Sequence, residues 1–131
     1  MVEDSRSSYE EILEKIEIPI CVASNGEPTH VRHSLRLTNL YDFFGDNIFT
    51  ASEVSVPKPA PDLFLYSAKK MGFNPDECVI IEDSVTGVTA AVNANIRVYG
   101  IINNLFSKED LEEAGAIPFK KMEELPELLG L

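Results

Sequence analysis

Glu82 and Asp83 are adjacent carboxylates that end the apolar run Val79-Ile80-Ile81, and Ser84 and Gly87 follow at once. A buried parallel strand reads as a continuous apolar run, and open α/β sheets bind ligands just beyond the carboxyl ends of their strands. Successive side chains on a strand point to opposite faces, so a task shared by both acids requires the backbone to leave the pleat there. Hard oxygen donors suit Mg²⁺, which commonly takes one or two carboxylates and keeps several waters. The plainer reading is that the two acids favour the dipole of the following helix as its capping groups.

Two further stretches carry chemistry. Lys58 stands in Val56-Pro57-Lys58-Pro59-Ala60-Pro61, where each proline restricts its own φ and biases its predecessor toward extended geometry. A lone lysine is ordinarily solvated, but one returned to within ~4 Å of a carboxylate or phosphate gains roughly 4 kcal/mol at an effective dielectric of about 20, before desolvation. Its proline brackets favour the second reading. The run Ile20-Cys21-Val22-Ala23 ends in Ser24-Asn25-Gly26. Serine in such a turn commonly shapes the turn, yet a hydroxyl beside backbone N–H groups entering a helix also forms a phosphate cradle. His30 and His33 lack a third metal ligand and read as exposed helix residues lining a substrate entrance. No Ser/His/Asp or Cys/His triad, Walker loop or GxGxxG occurs, which argues against a nucleotide-binding Rossmann half.

The elements that must position these residues follow from periodicity and punctuation. Residues 1–5 are expected to fray, and Ser7 to Ile16 places Tyr9, Ile12, Leu13 and Ile16 at helical spacing. Strands are expected at 20–23, 47–51, in the apolar run 79–81, at 97–102 and 117–119. Pro28 opens a helix that Asn39 stops, Pro61 opens one that Gly72 ends, and small residues from Val88 to Ala94 form one that Asn95 ends. Leu40 to Phe44 reads as an aromatic turn over the core, and 53–57 as a loop. Ser107 caps a helix to Ala114, and Met122 to Leu129 reads as a terminal helix. Strands alternating with helices at this spacing imply a parallel sheet.

Composition limits the functions on offer. The chain has 131 residues, of which 44% are hydrophobic, enough for one core and too few for two ordinary domains. A net charge of -11 repels phosphate backbones, so nucleic acid and anionic membranes are not expected partners. Cys21 and Cys78, each inside an apolar run, read as two buried free thiols of a reducing compartment. No apolar stretch approaches the roughly 20 residues that span a bilayer, and a cytoplasmic location is expected.

Together, Val22-Ala23-Ser24-Asn25, Lys58-Pro59-Ala60-Pro61-Asp62 and Ile81-Glu82-Asp83-Ser84 with Gly87 resemble, in order, three motifs of the haloacid dehalogenase superfamily. The resemblance covers roughly residues 18–102 and is strongest to the branch of sugar-phosphate phosphatases and β-phosphoglucomutase-like enzymes. It implies a Rossmann-like parallel sheet flanked by helices. It also implies Mg²⁺-dependent hydrolysis of a small phosphorylated metabolite through an aspartyl-phosphate. By resemblance Ser24 and Asn25 bind phosphate, Lys58 neutralises the phosphoryl group and its nucleophile, and Glu82 and Asp83 hold Mg²⁺.

The family's first motif, Asp-x-Asp at the end of a strand, has no counterpart in these residues, and the substrate-selecting cap that follows it is missing too. The chain resembles the C-terminal part of such an enzyme, organised as a single truncated core domain over 1–131. Its expected parts are a leading helix (1–18), a motif-bearing α/β core (19–102) and C-terminal helices (103–131). In the family's sheet the missing strand is central. The strands ending near Ser24 and Glu82 would therefore pair directly, accept another segment or another copy of the chain, or keep unpaired edges. The isolated chain is expected to be inactive. The alternative is a non-catalytic module that binds an anion or a partner. Asn95 stands where the family usually has Gly, a change the left-handed conformation tolerates.

Overall fold

The structure, a computed structural model, describes the backbone of residues 2–131 and the side chains from Tyr9 onward. Met1, one of the five residues expected to fray, lies outside the described residues. Val2 already begins the first helix, ahead of the expected Ser7.

Among the described residues, twelve α-helices and strands follow one another. They are α1 (Val2–Lys15), β1 (Val22–Ser24), α2 (Pro28–Leu37), α3 (Tyr41–Phe44), β2 (Ile48–Thr50), α4 (Asp62–Met71), β3 (Val79–Glu82), α5 (Val85–Asn93), β4 (Arg97–Ile101), α6 (Lys108–Ala114), β5 (Ile117–Phe119) and α7 (Leu125–Leu128). Asn39 and Asn95 have φ of 60° and 58°, and Gly72 has φ of 85°, so all three expected stops use the left-handed conformation. Gly supplies it without a side-chain penalty, and Asn does so at modest cost.

Several expected elements differ. Leu40 to Phe44 contains a short helix, α3, with no buried residue, instead of a turn over the core. The strand expected over 47–51 is confined to β2, because Ala51–Glu53 forms a 3-10 turn with Thr50 and Glu53 as a reciprocal capping box. The terminal helix is a 3-10 turn, Met122–Glu124, followed by α7.

All strand pairing is parallel, in two sheets rather than one. β1 pairs with β2 (Val22 opposite Ile48), while β4 lies between β3 and β5 (Glu82 opposite Gly100, Tyr99 opposite Ile117). β1 and β3 share no ladder, so the strands that end at the two motifs do not pair directly. The main core forms where α5 lays Val88, Ala90 and Ala91 against Ile96, Val98 and Leu111, all nearly inaccessible. The small side chains of α5 allow this close approach to the three-stranded sheet. A second cluster of Tyr99, Phe119 and Leu125 seals its other face. Among the described residues no helix is long and apolar enough to cross a membrane.

Candidate functional site: a lysine-linked pair of strand ends

The carboxyl ends of β1 and β3 are joined by one side chain. Lys58 Nζ donates to the carbonyl of Ala23 at 2.8 Å and to Glu82 Oε2 at 2.7 Å. The side chains of Lys58 and Glu82 are only 8% and 11% exposed, so this ion pair is far less screened than a surface pair. The Lys58 ammonium also lies 4.6 Å from the centroid of the Phe64 ring on α4, a cation–π contact.

The backbone carrying Lys58 is held as firmly as its ammonium. Asn25 Oδ1 accepts from Lys58 N–H and Asn25 Nδ2 donates to the Lys58 carbonyl, both at 3.1 Å. Asn93 Nδ2 donates to the Pro59 carbonyl at 3.2 Å. The proline-bracketed loop is thus fastened to the turn after β1 and to the end of α5. Ser24 Oγ accepts from Gly26 N–H at 3.0 Å, so the hydroxyl shapes its turn while its own proton remains to be donated.

Beyond β3 the backbone leaves the pleat as required. Ser84, not either acid, caps α5, its Oγ accepting from Gly87 N–H at 3.0 Å. Glu82 turns back onto Lys58, and a Cβ on Gly87 would overlap its carboxyl group. Asp83 is exposed, with its carbonyl bound by Asn103 Nδ2 at 2.8 Å. Asn103 also donates to the Ile101 carbonyl and accepts from the N–H groups of Leu105 and Phe106. Burial first, then the Asp83 and Glu123 carboxylates, push the Tyr9 phenol above its usual value.

The structure therefore brings Asn25, Lys58 and Glu82 into one bonded cluster, with Ser24 and Asp83 as flanking neighbours in the chain. His30 and His33 lie exposed on α2, apart from that bonding. Among the described residues no three His, Cys, Asp or Glu side chains gather as a metal cage. Glu82 and Asp83 are nevertheless oxygen donors of the kind Mg²⁺ takes, Glu82 paired with Lys58 and Asp83 exposed. Sequence reasoning missed Asn93, Asn103 and the packing of Gly87 on Glu82. Asn103 lies two residues past the end of β4, so the rule that polar groups matter beyond strand ends was its available signal.

Comparison with known proteins agrees with this architecture. Residues 2–95 match the family description of haloacid dehalogenase-like hydrolases, and the chain belongs to that family. It is 30% identical to 6-phosphogluconate phosphatase of Escherichia coli K12 over 89% of this chain and 52% of the relative. It is 31% identical to a phosphorylated carbohydrates phosphatase of Thermotoga maritima, over 91% of this chain and 55% of that one. A HAD family hydrolase from Deinococcus radiodurans R1, solved with bound phosphate and sodium, superposes with a TM-score of 0.82 at 28% identity, covering 98% of this chain and 57% of that chain. The chain spans about half the length of the curated relatives it matches.

Proposed function

We propose that these residues form the phosphate- and metal-binding part of a phosphatase that hydrolyses small phosphate monoesters, sugar phosphates being the favoured class. The observation that carries this reading is the buried Lys58, fixed at both ends of its loop and aimed between the carboxyl ends of β1 and β3. A phosphoryl group seated there would meet the ammonium of Lys58, the hydroxyl of Ser24 and the N–H groups of the turn entering α2. Glu82 and Asp83 would hold Mg²⁺, which when bound neutralises phosphoryl charge. The names of the two phosphatase relatives support the substrate class.

The nucleophile would be an aspartate carboxylate outside these 131 residues. Attack on phosphorus would form an aspartyl-phosphate as the alcohol departs with a proton, and water would then release inorganic phosphate and restore the carboxylate. The chain alone would bind Mg²⁺ and phosphate weakly and turn over nothing. Supplying the remaining portion of a relative as a second polypeptide, then assaying several sugar phosphates, tests this. Mg²⁺-dependent turnover that disappears in Lys58→Ala supports the proposal. Phosphatase activity in the pure chain, lost in Lys58→Ala, overturns the requirement for an outside nucleophile. An associated but inert pair of chains would instead support the module that binds an anion or partner without catalysis.

A further inference from the structure

Asp83 is the single residue between the end of β3 at Glu82 and Ser84, the cap of α5. The ladder with β4 closes one residue earlier, at Glu82 opposite Gly100, so the Asp83 carbonyl lies beyond the last strand pair. A main-chain acceptor in such a place takes its partner from water or from a side chain. Here the partner is Asn103, whose Nδ2 donates to it at 2.8 Å. On the other side of the same residue, Asp83 N–H donates to Glu82 Oε1 at 3.4 Å, the longer of the two contacts, and Glu82 is itself held by Lys58. Each peptide unit is planar, so holding the units on both sides of an α-carbon sets the direction of its Cα–Cβ bond. The Asp83 carboxylate is thereby aimed by its main chain, whereas Glu82 is aimed through its own carboxylate.

Asn103 is equipped to be a fixed point. A side-chain amide offers two donor and two acceptor positions, and all four are taken. Nδ2 bonds the carbonyls of Asp83 and Ile101, and Oδ1 accepts from the N–H groups of Leu105 at 2.9 Å and Phe106 at 3.2 Å. Its own N–H donates to the Phe106 carbonyl at 3.1 Å, and the neighbouring Ile102 N–H donates to the Phe119 carbonyl of β5 at 2.9 Å. An amide turned the other way would set its oxygen against two carbonyls, so the group has one orientation. Aspartate, of the same size, would do the same, and serine is one atom too short to span to Asp83.

We propose that Asn103 is a positioning residue for the Asp83 carboxylate, aiming it so that Asp83 and Glu82 serve one Mg²⁺. This rests on the reading of those two acids as metal donors. Mg²⁺ demands near-ideal octahedral placement of its oxygens, so a donor that swings freely binds it at a cost that a pre-aimed donor avoids. Side chains that orient metal-binding groups without touching the metal typically cost about 10–100-fold in affinity when they are removed. Asn103 stands in that relation to Asp83, joined to it through the main chain and rooted in the loop after β4.

Titration of the chain with magnesium chloride, followed through the amide NMR shifts of residues 82–85, measures the affinity without any turnover. Asn103→Ala removes all four side-chain bonds. Asn103→Ser keeps a hydroxyl that can accept from Leu105 N–H and so close the turn, but it does not reach Asp83. Both variants are expected to bind Mg²⁺ at least about tenfold more weakly, with Asn103→Ser keeping the native urea midpoint. Asp83→Ala is expected to abolish the response. Native affinity in Asn103→Ser overturns the positioning role and leaves the metal reading intact. So does weaker binding in Asn103→Ser together with a urea midpoint as low as that of Asn103→Ala, because the loss would then belong to loop folding. A native chain without a saturable shift at 82–85, or an Asp83→Ala chain that binds as well as the native one, overturns the metal reading and this proposal with it.

Discussion

Lys58 and Glu82 each need the other, because a charge at about a tenth exposure that loses its partner is left poorly solvated. Replacing Lys58 by Met should lower stability by about 3–5 kcal/mol in urea unfolding, and adding Glu82→Gln should recover much of that loss by removing the orphaned charge. If the single and double variants were equally unstable, the pair would not be the source of the effect. Gly87 belongs to the same unit. An added methyl there would meet the far end of a side chain that Lys58 holds in place. Gly87→Ala should therefore cost about 1–3 kcal/mol in the native protein and almost nothing in a Glu82→Ala background, a coupling that a double-mutant cycle measures.

At the scale of elements, caps and left-handed stops decide where helices begin and end. Ser107 accepts from Asp110 N–H while Asp110 accepts from Ser107 N–H, closing a reciprocal box at the start of α6. Ser107→Ala should cost about 1 kcal/mol, read as a lowered thermal midpoint. Asn95 at φ 58° tolerates Gly and resists Ala, so Asn95→Ala should destabilise by roughly 1–2 kcal/mol while Asn95→Gly should not. Such punctuation was legible because it acts locally: Pro28, Asn39, Gly72 and Asn95 end or open helices where the chain composition says they should. The 3-10 turns were also written locally, in Thr50-Ala51-Ser52-Glu53 and Asn74-Pro75-Asp76-Glu77, each a capping box with its acceptor three residues on. Reading the first as strand continuation made β2 too long.

Across the whole molecule, a cleft lined by β1 and β3 brings Cys21 and Cys78 onto one surface although 20–23 and 79–82 are distant in sequence. Both thiols are free and half-buried, not fully buried as their apolar surroundings implied. Burial, reinforced by Cys78, pushes the Cys21 thiol from 9.0 up to about 11. The folded state thus favours the protonated thiol. Its contribution to stability is whole below the unfolded value near 9.0 and is lost as the pH rises toward about 11. The urea midpoint should fall between about pH 8 and pH 10.5, and Cys21→Ala should reduce that slope. Alkylation of Cys21 should be correspondingly slow at about pH 8.

The residues by themselves determined the order of strands and helices, the positions of most stops, the two motif-bearing strand ends, the lysine loop and the family they resemble. Those features depend on side-chain period, on proline, glycine and asparagine at single positions, and on charge at the end of an apolar run. Only the tertiary structure decided that the sheet divides between β1 and β3, that Lys58 joins the two parts, and that Asn103 holds the carbonyl of Asp83. Pairing, edge exposure and side-chain reach are relations between distant segments. Val79-Ile80-Ile81 has the same apolar sequence whether a neighbour covers its edge or a cleft lies beside it.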